Sequence, residues 1–102
     1  MVEEIDILQL AARFDWDQYN EYKNKIKHNV EMKEAEETIL DKHSKVFEDI
    51  RHSSIERRYT LYGKTKKERL LIVIFTIRAN TFRVISARDQ NRKERKLYET
   101  KN

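Results

Sequence analysis

Arg83 sits among Phe82, Val84 and Ile85. A guanidinium in such surroundings either emerges on a concave sheet face or pairs with an acid, for which Glu56 and Asp49 are candidates. Arg58 belongs to another alternating segment and can share that face, or stand as an exposed edge-strand charge. Arg88 follows the last such segment, where anion contacts are easily made and where simple solvation also suffices. Lys27 and His28 close a helical stretch. A histidine there gains from the helix dipole and stays partly protonated near neutrality, so it can act as acid or base, or merely cap the helix. Arg92 and Arg95 continue the positive charge along the tail. Together these groups suit RNA cleavage without a metal. A base removes the ribose 2′-OH proton, fixed cations stabilise the pentacovalent dianion, and an acid protonates the 5′ leaving oxygen. Arginine fits the middle role because its fork grips phosphate oxygens and stays charged.

Other chemistries lack their residues. His28, His43 and His52 are dispersed, with no paired metal-ligand spacing. The single glycine, Gly63, cannot build a phosphate-cradling loop, and no serine sits in a nucleophile elbow. There is no cysteine, so neither a thiolate metal site nor a disulfide forms, and a reducing compartment, the cytoplasm, is expected. No cofactor is expected either. The longest apolar run, Leu70 to Ile77, is far short of the roughly 20 residues a membrane helix needs. The acidic start, Met1-Val2-Glu3-Glu4, does not resemble a secretory signal.

Charge is divided along the chain. Residues 1–56 carry 8 basic and 14 acidic side chains, net −6, whereas residues 57–102 carry 14 basic and 4 acidic, net +10. A half so positive is the usual footprint of a polyanion-binding surface, although a solvated surface on a charge-rich protein reads the same way.

The elements that must position these residues follow from periodicity. Arg13 to Trp16 alternates as a short strand with Phe14 and Trp16 on one side. Asp15 or Asp17 then caps a helix running to about His28, whose inward stripe is Tyr19, Tyr22 and Ile26. Asn29 tolerates the left-handed conformation that closes helices. A second helix covers Lys33 to Asp41, with Met32, Ala35, Ile39 and Leu40 inward. Lys45 to Glu48 is a short edge strand, followed by a polar loop through His52. Three strands come next: Arg57 to Gly63, Arg69 to Ile77, and Thr81 to Ala87. The middle one is apolar throughout, as a strand buried on both faces would be. In the last, Arg83, Ile85 and Ala87 share one side, and Phe82, Val84 and Ser86 the other. Ala79-Asn80 makes a tight hairpin turn. Asn91 and Glu94 form a capping pair for a basic terminal helix whose Leu97 and Tyr98 dock on the sheet. The order is strand, two helices, a mostly antiparallel sheet of three or four strands, and a basic helix. That is an α+β domain over residues 13–102, with residues 1–12 as an extension.

These residues fall into a pattern that resembles the BrnT family. Phe14-Asp15-Trp16-Asp17, Asn24, Lys27-His28, Val30, Glu34-Ala35 and Asp41 match its N-terminal half. Asp49, His52-Ser53, Glu56, Arg58-Tyr59 and Gly63 are similar to its central segment. Leu70 to Phe75, then Arg83-Val84-Ile85-Ser86-Ala87-Arg88, resemble its strands, and Arg92, Glu94-Arg95 and Tyr98-Glu99 its closing helix. The resemblance spans about residues 13–99. It implies a RelE-like ribonuclease fold, RNA cleavage that halts translation, and neutralisation by a BrnA-like ribbon-helix-helix antitoxin. It further implies a toxin–antitoxin heterotetramer that reaches operator DNA through the antitoxin. By position it favours Lys27, His28, Arg58 and Arg83 as catalytic, with Arg88, Arg92 and Arg95 on RNA. Three departures stand out: Asn29 in place of a glycine, Arg57 in place of a glutamate, and Asn20 in place of a lysine. Two other readings fit the residues without the resemblance. One is a non-catalytic RNA-binding module, the other a purely protein-binding partner with a basic face.

Overall fold

The computed structural model describes residues 13–15, 18–49 and 56–100. Strand β1 (Arg13–Asp15) is followed by helices α1 (Gln18–His28) and α2 (Met32–Ile39). Strands β2 (Lys45–Glu48), β3 (Arg58–Lys64), β4 (Leu70–Arg78) and β5 (Thr81–Asp89) come next, then helix α3 (Arg92–Glu99). Trp16 and His52 lie outside the described residues.

The strands form one five-stranded sheet in the order β1-β5-β4-β3-β2. β2 to β5 pair antiparallel, as their alternating sequences lead one to expect. β1 joins the far edge of β5 in parallel, with Asp15 opposite Arg83. The sheet is therefore wider than the three or four strands expected. A three-residue strand whose partner lies 68 positions away leaves no local trace of that pairing.

Helices α1 and α2 cover one face of the sheet. Val30, Ala35 and Ile39 pack there against Leu61, Leu71, Val73, Phe75, Phe82, Val84 and Ala87, forming the core. Phe14 stacks on Phe82 with ring centroids 5.3 Å apart, tying β1 into it. Asn24 completes the β5 edge beyond the reach of β1. Its side chain is buried, and Oδ1 accepts from the Ala87 backbone N–H at 3.1 Å, as a neighbouring strand would.

Glycine is required at position 63 by packing. A Cβ there would lie 2.6 Å from the Thr38 carbonyl oxygen, where α2 crosses β3. Three turns use left-handed backbone, among them the β3–β4 connection with Glu68 at φ 68°. Asn29 closes α1 at φ 53°, as its sequence position suggests, and Ala79-Asn80 joins β4 to β5 at φ 50° and 61°.

Four expectations need correction, the first being that Leu97 docks on the sheet: it is exposed. Tyr22 and Ile26, expected inward, are 67% and 66% exposed, because α1 meets the sheet through Asn24 instead. Leu40 lies past the end of α2 and is exposed, and Asp41, expected as the last helical residue, lies outside the helix. The alternation of β5 is also broken by a bulge: Phe75 pairs with Val84 but Ile74 with Ser86, leaving Ile85 as the extra residue. Ala87 therefore turns to the core side with Phe82 and Val84, while Ser86 turns to the side of Arg83.

Candidate active site

The sheet face opposite α1 and α2 carries the cationic residues. Residues directly paired across strands point to the same side, so each register row defines a line of side chains. One row runs Arg58–Thr76–Arg83–Asp15, from β3 through β4 and β5 to β1. The next runs Phe47–Thr60–Ile74–Ser86, and the one after it Lys45–Tyr62–Ile72–Arg88. The sequence alternation had placed Arg58, Thr60 and Tyr62 together, and the register bears this out.

Arg58 and Arg83 lie two strands apart, roughly 10 Å at the usual interstrand spacing. Two arginine side chains rooted at that separation can reach one phosphate between them. Arg83 Nη2 donates to Asp15 Oδ2 at 3.1 Å, so the acid that meets it comes from β1. Glu56, one of the acids expected to pair with Arg83, instead accepts from Arg78 Nη2 at 2.9 Å. Arg83 Nε is buried and has no hydrogen-bond partner among the described residues.

Helix α3 closes one end of this face. Asn91 and Glu94 exchange capping hydrogen bonds as their spacing suggests, at 2.9 Å and 2.8 Å. Glu94 also grips Arg88 in a two-pronged pair, 2.9 Å and 2.8 Å. That pairing holds the Glu94 carboxyl below the usual carboxylate range, working against its partial burial. At the other end of α3, buried Lys45 donates to the Leu97 carbonyl at 2.8 Å and to the Thr100 carbonyl. A cation there suits the negative end of a helix. Tyr98 hydrogen-bonds Asp41, whose carboxylate also accepts from the Lys64 backbone N–H at 3.0 Å. Arg92, Lys93, Arg95 and Lys96 remain exposed on the outer side of the helix. Tyr62, half-buried near Glu94, has its phenol pushed up chiefly by burial.

Lys27 and His28 are placed elsewhere. The His28 and Asn29 carbonyls accept from Arg69 Nη2 and Nη1 at 3.0 Å and 2.8 Å, closing α1. Arg69 also binds Glu34 of α2 at 3.1 Å and Asp89 of β5 at 2.8 Å, joining four elements. The Arg69 hydrogen bond holds the Asp89 carboxyl low, with smaller help from Arg95 and His28. Asp89 is six residues along β5 from Arg83, about 20 Å of strand. The structure thus joins Arg83 to Asp15 by a hydrogen bond and sets Arg58 two strands away in the same register row. It sets Arg88 against α3 and leaves Lys27 and His28 at the opposite end of β5.

Asp15, Lys45 and Arg69, which hydrogen-bond Arg83, the end of α3 and the end of α1, are not among the candidates read from the sequence. Asp15 had been weighed only as a strand residue or helix cap. A lone arginine at the head of an apolar strand, and a lone lysine beginning another, were the signals available for the other two.

Fold and face define a small α+β protein with arginines of β3 and β5 on the sheet face opposite α1 and α2. A family model described as the ribonuclease toxin BrnT of type II toxin–antitoxin systems matches residues 16–94. The chain belongs to that family of ribonuclease toxins. Among solved structures it is similar to the Brucella abortus ribonuclease toxin BrnT, known from a 1.1 Å crystal structure. The TM-score is 0.62 at 21% identity, covering 80% of this chain and 100% of that one. No curated protein sequence matches the chain. Among the described residues no helix is long and apolar enough to cross a membrane.

Proposed function

We propose that the chain is an endoribonuclease that cuts RNA by attack of the 2′-OH on the adjacent phosphate, without a metal, and so inhibits translation. The observation that carries this reading is the Arg58–Thr76–Arg83 row on the sheet face opposite α1 and α2. Two guanidinium groups at that spacing can hold the two non-bridging oxygens of a phosphodiester. They stabilise the extra charge that develops as the phosphorus becomes pentacovalent, which is where fixed cations contribute most to the rate. Arg88, engaged by Glu94, seats α3 at the other end of the same sheet face. Exposed Arg92 and Arg95 extend the RNA track along α3, and Lys27 and His28 contact RNA at the far end of β5.

Membership of a type II toxin–antitoxin family implies a protein antitoxin. We take this antitoxin to be a BrnA-like ribbon-helix-helix protein, which assembles with the toxin into a heterotetramer in the cytoplasm and carries it to operator DNA.

The test is cleavage of a mixed-sequence RNA by the purified chain in EDTA, beside Arg83→Ala. Fragments ending in 2′,3′-cyclic phosphate, absent with the variant, are the expected result. RNA binding without cutting, in the presence of ribosomes as well, would favour a non-catalytic RNA-binding module instead.

A further inference from the structure

A cleft of about 350 Å³ opens beside Arg83, lined by Phe14, Asp15, Arg78, Ala79, Thr81 and Arg83. This lies within the range of small-molecule sites, about 300–1,000 Å³. Two features show what it is fitted to take. Arg83, which lines the cleft, keeps a buried Nε without a hydrogen-bond partner among the described residues, and a buried N–H without an acceptor is costly. Asp15 sits at the cleft wall with its side chain half exposed, one oxygen on Arg83 Nη2 at 3.1 Å. The cations around it are Arg83 from β5, Arg78 from β4, and Arg58 in the same register row.

We propose that this cleft receives the ribose on the 5′ side of the scissile phosphate and that Asp15 is the general base of the reaction. The inference rests on the ribonuclease reading and supplies the group that reading lacks, since Lys27 and His28 lie at the other end of β5. A phosphate held by Arg83 lies within one guanidinium width of the Asp15 carboxylate. That is the separation between a phosphate and the 2′-OH of its own nucleotide. Asp15 takes the 2′-OH proton as O2′ forms its bond to phosphorus. The P–O5′ bond then breaks, and the departing 5′ oxygen takes a proton from solvent water. Asp15 returns its proton to solvent. The net reaction moves one proton from O2′ to O5′ and leaves a 2′,3′-cyclic phosphate.

Asp15→Asn and Asp15→Glu test the assignment, each assayed for cleavage across pH and for binding of a 2′-deoxy substrate analogue. Asp15→Asn is expected to lower the cleavage rate about 10²- to 10⁴-fold, the usual contribution of general-base catalysis, while binding the analogue within about threefold of the parent. The parent's rate should fall with unit slope on the acid side. That limb should vanish in Asp15→Asn and return in Asp15→Glu with part of the rate. Full activity in Asp15→Asn overturns the assignment while leaving the ribonuclease reading intact. So does joint loss of cleavage and analogue binding that Asp15→Glu fails to restore, because a merely structural ion pair predicts it. If the parent chain cuts neither alone nor in the presence of ribosomes, both readings fall together.

Discussion

Arg58 and Arg83 flank Thr76 in a single register row, one on each side of the central strand. Their side chains leave the sheet on the same face although they are 25 residues apart in sequence. β4 sets this relationship. Its buried residues fix the register against both neighbours, and a slip of one residue would turn either arginine into the core. Both arginines are therefore positioned by their pairing with a strand most of whose residues are buried.

Lysine should not replace Arg83. An ammonium keeps the charge but loses the fork that reaches both Asp15 and a phosphate oxygen. Arg83→Lys is expected to retain RNA binding and to lose about 10²-fold or more in cleavage rate, measured by single-turnover kinetics.

Gly63→Ala should destabilise the fold without touching the site. The added methyl meets the Thr38 carbonyl oxygen at 2.6 Å, and backbone there cannot easily give way. A loss of about 1–3 kcal/mol is expected from urea denaturation, the usual range for forcing a methyl into a packed contact.

Much of this was legible in the residues and some was not. The three long strands, Ala35 and Ile39 on the core side of α2, the Ala79-Asn80 turn and the α3 capping pair all rest on local patterns. Arg58 and Arg83 were readable as candidates because charged residues in alternating apolar segments must surface somewhere. Their partners were not. Asp15 reaches Arg83 through a parallel pairing of three residues, and the Ile85 bulge reverses the facing of Ser86 and Ala87 with no mark in the local pattern. Tyr22 and Ile26 form a convincing apolar stripe, yet buried Asn24 takes the inward position by satisfying an N–H of β5.

The seating of α3 should weaken in acid. Pairing lowers the folded-state carboxyls of Glu94 and Asp89, so each contributes stability above the ordinary carboxylate range. That contribution is lost as pH falls through the lowered values. Thermal melts should therefore show falling stability below about pH 4, where unfolded carboxyls begin to take up protons. Glu94→Gln should show a shallower fall and a lower melting temperature at pH 7. An unchanged profile in Glu94→Gln would remove the pair from the account.

Salt should separate track from site. Arg92→Ala and Arg95→Ala are each expected to reduce the slope of log Kd against log salt by about one ionic contact, on an uncleavable RNA. The cleavage rate at saturating RNA should change less than threefold, because neither residue meets the scissile phosphate.

The most direct test of the central claim is a double-mutant cycle on kcat/KM for RNA cleavage, using Arg58→Ala, Arg83→Ala and the pair together. If both arginines hold one phosphate, each single change costs about 10²- to 10³-fold, and the double variant loses at least about tenfold less than the product. Losses that simply multiply, or full activity in either single variant, would contradict a shared phosphate site on this face.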